Sequence, residues 1–202
     1  MRTVAGGGCA TRLAALIERA IAEGGRAIAS FGIAGGLNDD LKPGACLIGT
    51  EVIHSGMLYR ADADWTARLT RELRPAVPYR IAGVDQALPT PAEKRALNAA
   101  TGAVAVDMES HIAAAVATRH GLPFAVIRVI ADPATRTLPP AALAGMRSDG
   151  TTDIGACLRS LVHNPAQAPA LVGVAIDAGR AMRQLLRCVQ LLGPGLGFFD
   201  CR

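Results

Sequence analysis

The chain has 202 residues, enough to bury one substantial core; half of them are hydrophobic, only 3% are aromatic, and the formal charge is +4. The arginines are scattered, with no Lys/Arg run and no interleaved aromatics, which argues against nucleic acid as a partner. The five cysteines (Cys9, Cys46, Cys157, Cys188 and Cys201) form no CxxC pair and no Cys/His cluster at metal spacing, so free thiols in a reducing cytoplasm and no metal are expected.

The opening MRTVAGGG lacks the apolar region of a signal peptide, and no run reaches the roughly 18 apolar residues that a membrane span needs. GCATRLAALIERAIAEGG reads as a helix: Leu13, Leu16, Ile17 and Ile21 recur at helical spacing and Gly24-Gly25 stops it. RAIASFGIAGGL reads as a short buried strand entering a glycine turn, and ACLIGTEVI as a strand introduced by the turn signal KPG. Residues 64–73 look helical, ended by Pro75 and Pro78. Thr90-Pro91-Ala92-Glu93 has the form of a capping box with proline at the first helical position, and predicts a helix to about Asn98. AVAVDM is a strand, a helix then runs to His120, FAVIRVIA is a buried β-branched strand, and Pro139-Pro140 opens a short helix.

This alternation predicts an α/β fold of three layers, with a mixed, mostly parallel central sheet flanked by helices. With no repeat or linker, residues 1–152 read as one α/β domain and 153–202 as a C-terminal helical extension packed on it. The extension reads as helices at 153–162 and 166–191, separated by HNP. In the second, Leu171, Val174, Ala178, Met182, Leu185, Val189 and Leu192 form a stripe, and Arg180, Arg183 and Arg187 share another face. Such a helix packs on its own core or on a partner subunit, or else touches lipid or a lipid-like substrate in peripheral membrane contact.

Three stretches carry candidate chemistry. FGIAGGL, with Gly32, Ile33, Ala34 and Gly35, offers bare backbone N–H groups that suit an anion such as phosphate; a plain turn is the alternative. It lacks the spacing of a nicotinamide dinucleotide site. Asp132 follows FAVIRVIA at the end of a buried strand, where an Asp before Pro also serves as a turn former. Period-two alternation places Arg128 on the same side as Asp132, and a buried arginine needs a partner, which Asp107 or Glu109 supplies. In Asp107-Met108-Glu109, a carboxylate suits a diol and Met108 an apolar floor; an acid in a helix's first turn also favours the helix dipole.

FGIAGGLNDDLKPG, then AVDMES, then GLPFAVIRVIADP, in this order, resemble the nucleoside phosphorylase and nucleosidase family. The ATRLAAL opening, the AEKRAL segment, the DPA loop and the C-terminal helices are most similar to its bacterial hopanoid-associated phosphorylases. The resemblance implies cleavage of a nucleoside N-glycosidic bond, with phosphate as co-substrate or with water, and no cofactor. Asp132 matches the family's acid at purine N7, Glu109 the carboxylate on the ribose hydroxyls, Met108 the residue under the sugar, and 32–35 the stretch beside the acceptor. The implied substrate is a lipid-linked nucleoside, adenosylhopane, releasing adenine; a hydrolytic nucleosidase of the methylthioadenosine/S-adenosylhomocysteine type and a non-catalytic ligand-binding member are the alternatives. A homo-oligomer is implied as well. Two departures stand out: Ile33 replaces the hydroxyl residue that many members place against phosphate, and the family's first strand is expected to be missing ahead of TVAGGG.

Overall fold

The computed structural model of the chain describes residues 1–6, 9–145 and 153–198. Gly8 at the head of the first predicted helix, Cys201, and the expected boundary at residue 152 lie outside the described residues. In chain order the elements are α1 (Ala10–Ala22), β1 (Ile28–Gly36), β2 (Cys46–His54), β3 (Met57–Arg60), α2 (Ala63–Glu72), β4 (Val77–Gly83) and α3 (Pro91–Thr101). They continue with β5 (Ala105–Asp107), α4 (Ser110–His120), β6 (Phe124–Asp132), α5 (Pro140–Ala144), α6 (Ile154–His163), a 3-10 turn (Pro165–Gln167) and α7 (Ala168–Leu192).

The strands lie in the order β3-β2-β4-β5-β1-β6, and β6 also pairs with β2, so five of them close into a ring with β3 outside it. One face carries α2 and α7, whose Trp65, Leu69, Ala181, Leu185 and Cys188 pack on Ile48, Ile127 and Val129. The other carries α1 and α4, whose Leu13, Ile17, Ala113 and Val116 pack on Val52, Ile81 and Val126. Helices on both faces of a mixed sheet are the α/β architecture expected. The sheet is mixed: β1–β6, β2–β4 and β4–β5 are parallel, while β1–β5, β2–β3 and β2–β6 are antiparallel.

Two strands are invisible to periodicity. β3 is four largely exposed residues, hairpinned onto β2 through Ser55 and Gly56, both at positive φ. β4 contains Pro78, which marks a break in the sequence but lies exposed near the strand's start, where a missing N–H is tolerated. The glycines at 32 and 35–36 likewise belong to strand rather than to the expected turn. β1 runs through Gly36 because β5 pairs with its last residues, Gly35 with Val106 and Gly36 with Ala105.

The stripe expected on α7 is rotated. The buried residues are Asp177, Ala181, Leu185, Cys188 and Leu192, whereas Met182 and Val189 are exposed. A hydrophobic pattern counts Asp177 as outward, yet two arginines neutralise it in the interior. Val172, Ile176 and Leu186 on α7, and Ile154, Leu158 and Val162 on α6, face outward. Leu185 is 6% exposed and Leu186 is 59% exposed. Leu185→Ala is therefore expected to cost about 2–5 kcal/mol in denaturant unfolding, and Leu186→Ala, in the isolated chain, less than about 0.5 kcal/mol. Equal losses at the two positions would contradict this orientation of α7.

Candidate active site

The candidate residues converge on three adjacent strands, β5, β1 and β6. β1 pairs with β6 in register from Ile28↔Phe124 to Ala34↔Ile130, then jumps to Gly35↔Asp132. Ala131 is the extra residue of this bulge. A bulge re-aims the side chain that follows it, so Asp132 shares a face with Gly35 while Arg128 stays with Gly32. A Cβ on Gly35 would lie 3.6 Å from Asp132 Oδ2, and one on Gly32 would lie 3.5 Å from Arg128 Nη1. The period-two expectation that Arg128 and Asp132 point the same way is thereby corrected: the inserted residue turns Asp132 to the opposite face.

Arg128 has found the partner it needs, and it is Asp107. Its Nε donates to Asp107 Oδ2 at 2.8 Å, its Nη2 to Ser30 Oγ at 2.6 Å, and its Nη1 to the Ile127 carbonyl at 3.1 Å. Asp107 also accepts from Glu109 N at 2.8 Å, Ser110 N at 2.7 Å and Ser110 Oγ at 2.6 Å. Burial pushes the Asp107 carboxyl up, but the Arg128 guanidinium and Ser110 outweigh it and hold the group below its ordinary value. Asp107 is thus a fixed anion that clamps the turn from β5 into α4.

That turn presents Met108 and Glu109, both half-buried. Glu109 occupies the N-cap position of α4, but its side chain makes no capping bond to the helix. Its backbone is held by Asp107 and its carboxylate remains available for a ligand.

Asp132 is held differently. Oδ2 accepts from Lys94 Nζ at 2.5 Å, and Oδ1 is buried without a partner. Lys94, 1% exposed, gives its other ammonium hydrogens to the carbonyls of Pro133 at 3.0 Å and Arg136 at 3.1 Å. Arg136 in turn pairs with Asp177 of α7, so the C-terminal helix anchors the segment that follows the acid. Burial pushes the Asp132 carboxyl up, against the lowering influence of Lys94 and Arg136. The result is a carboxyl group with one oxygen pinned, the other buried and unpaired, and a raised affinity for its proton. That suits the sharing of a proton with a ligand nitrogen.

Lys94 was missed in the sequence. The signal was there: the capping box Thr90–Glu93 fixes where α3 starts, and helical spacing then puts Lys94 on the face of Leu97, which packs inward. A lysine on an apolar face needs an anion. Ser30, Ser110, Arg136 and Asp177 were likewise unassigned. Ile33 points its side chain outward and is exposed, so no hydroxyl stands at that position.

The family model of the Phosphorylase superfamily matches residues 2–163. No curated protein matches the sequence. Among solved structures the chain is similar to the futalosine hydrolase of Helicobacter pylori, at 22% identity over 76% of this chain and 75% of that one, with a TM-score of 0.59. It is also similar to the 5'-methylthioadenosine/S-adenosylhomocysteine nucleosidase of Helicobacter pylori with butyl-thio-DADMe-Immucillin-A, at 18% identity over 89% and 75%, TM-score 0.60. The corresponding nucleosidase of S. pneumoniae with the transition-state inhibitor MT-ImmA shares 16% identity over 91% and 76%, TM-score 0.59. At these identities the structural likeness speaks for the fold. The family match spans most of the chain, and the chain belongs to the Phosphorylase superfamily.

Proposed function

We propose that this protein cleaves the N-glycosidic bond of an adenine nucleoside and releases adenine. The observation that carries the reading is Asp132, on the Gly35 face of the sheet, with Oδ1 buried and unpartnered and Lys94 holding Oδ2. As the bond to the sugar breaks, negative charge develops on the purine. A protonated Oδ1 delivers or shares its proton at N7, a contribution of about 10²–10⁴-fold in rate. Glu109 accepts hydrogen bonds from the ribose hydroxyls, and Met108 offers an apolar surface to the sugar.

The specific form we favour is phosphorolysis of a lipid-linked adenine nucleoside, adenosylhopane, in hopanoid biosynthesis, with Gly32, Ile33, Ala34 and Gly35 beside the acceptor. The outward apolar residues of α6 and α7 give a lipid-like substituent, or a second subunit, a surface to meet. Hydrolysis is the second reading. Ile33 offers no hydroxyl to phosphate, and the 32–36 backbone is paired into the sheet rather than opened as an anion cradle. Adenine release from a 5′-alkyl adenosine, followed with and without phosphate, separates them. Release only with phosphate establishes phosphorolysis, release without it establishes hydrolysis, and tight binding without turnover refutes both.

Lys94→Met removes the cation that lowers the Asp132 carboxyl, so that group's pKa rises further. The acid form is the active one, and activity falls as pH rises through its pKa. The high-pH limb of kcat is therefore expected to move to higher pH in Lys94→Met. An unmoved limb, measured across the pH profile, would separate Lys94 from the acid.

A further inference from the structure

A second constellation lies away from Asp132, and nothing in the nucleoside reading uses it. His54 is the last residue of β2, Asp85 lies two residues beyond the end of β4, and His111 is the second residue of α4. Because β2 and β4 run parallel, their carboxyl ends lie side by side, and β5 pairing Asp107 with Gly83 brings the head of α4 to the same edge. Positions so far apart in the chain hide the cluster from any spacing motif, which is why no metal was expected from the sequence.

We propose that His54, Asp85 and His111 bind one zinc-class divalent cation. One ligand atom from each lies within 4.8 Å of the others. His111 Nε2 stands 3.3 Å from Asp85 Oδ1. Two ligands each about 2.0–2.1 Å from a tetrahedral ion lie about 3.3–3.4 Å apart, so this edge already has the required length. Asp85, whose side chain is 71% exposed, is free to rotate and close the remaining gaps.

The tautomer of His54 is set for ligation. Its Nδ1 lies 3.0 Å from the Gly83 carbonyl, which can only accept, so Nδ1 carries the hydrogen and Nε2 is the acceptor, with Ser55 Oγ 3.4 Å away as the partner an ion would displace. His111 is 5% exposed: Nδ1 is buried without a partner, and Nε2 is paired with Asp85 Oδ1. The two rings stack at 4.1 Å between centroids and 17° between planes, so one ring turns out of the stack for both in-plane lone pairs to meet one ion. Among the described residues Asp85 has no arginine or lysine partner, so a bound cation supplies the charge that this carboxylate lacks.

The packing is tight by construction. A Cβ on Gly83 would fall 2.4 Å from His111 Cβ, so only glycine lets α4 seat its histidine against β4. Three protein ligands leave a position for water. The ion ties β2, β4 and α4 together two residues beyond Glu109, bracing the head of that helix, and the site stands whether or not the nucleoside reading holds.

The test uses the full chain stripped with chelator and titrated with Zn²⁺ by calorimetry and with Co²⁺ by visible absorption. The expected result is one ion per chain and Co²⁺ bands without thiolate charge transfer. Asp85→Ala and His54→Ala should each weaken binding by about tenfold or more, and Zn²⁺ should raise the melting temperature of the wild type more than that of the variants. Asp85 is exposed, so its variant will fold even if the His54 variant does not. No stoichiometric binding, affinity unchanged in Asp85→Ala, or a thiolate charge-transfer band would each overturn the proposal; the last would place the ion on a cysteine.

Discussion

Asp132→Asn is expected to lower kcat for adenine release by about 10²–10⁴-fold while far-UV circular dichroism stays native. The substitution keeps the size and polarity of the side chain and removes the transferable proton. It also leaves the buried Lys94 ammonium with two carbonyls and an amide oxygen where it had a carboxylate. Loss of activity alone would therefore fit either a missing acid or a disturbed Lys94. The double variant Asp132→Asn/Lys94→Met separates the two. It removes the unpaired charge, so stability should recover. If Asp132 is the proton donor, activity stays low in the double variant. If Asp132 serves only as the counter-ion of Lys94, activity returns with stability, and the assignment of the acid fails.

The sequence was legible where burial and chemistry pointed the same way. Asp132 at the end of a buried strand, and an arginine inside that strand calling for an acid, could both be read from hydrophobic context, and Asp107 proved to be the partner. The α/β class followed from strand–helix alternation. What escaped depends on pairing rather than on composition. Nothing in FAVIRVIADP announces that Ala131 is an inserted residue, because a bulge is defined by the register against β1. The glycines of β1 read as a turn because glycine is permissive, yet β5 keeps them in the sheet; at Gly35 a Cβ would come within 3.3 Å of Val106 Cγ1. Asp177 reads as the polar side of α7, and only its pairing with Arg136 and Arg180 lets it be buried. His54, Asp85 and His111 meet only because the ends of β2 and β4 and the head of α4 come to one edge. In each case a long-range partner overrides the local rule, and the exceptions gather around the candidate sites.

Arg128→Met should be the most destabilising of the substitutions at this site. Arg128 is 2% exposed and Asp107 is buried beside it. A buried ion pair adds little net stability over apolar residues, but deleting one member strands the other and costs about 3–5 kcal/mol, a large part of the roughly 5–15 kcal/mol that holds a domain together. The pH dependence carries the diagnosis. In the wild type the Asp107 carboxyl is held below its ordinary value of 3.8, so its contribution is fully present above that value and is lost as pH falls through the lower folded-state pKa. Without Arg128, burial dominates and the pKa rises above the ordinary value. The sign then reverses: the variant is penalised above the raised pKa and relieved as Asp107 is protonated. The stability gap between the proteins, from denaturant unfolding at stepped pH, should therefore shrink as pH falls toward 4 and below. Asp107→Asn in the Arg128→Met background should close most of the gap at neutral pH. A gap that stays constant with pH would mean that Asp107 is not the charge Arg128 neutralises. Because the same carboxylate holds the backbone N–H of Glu109 and Ser110, the KM for the nucleoside should rise in Arg128→Met under conditions where the chain remains folded. That effect would tie the buried pair to the geometry of the proposed ribose site.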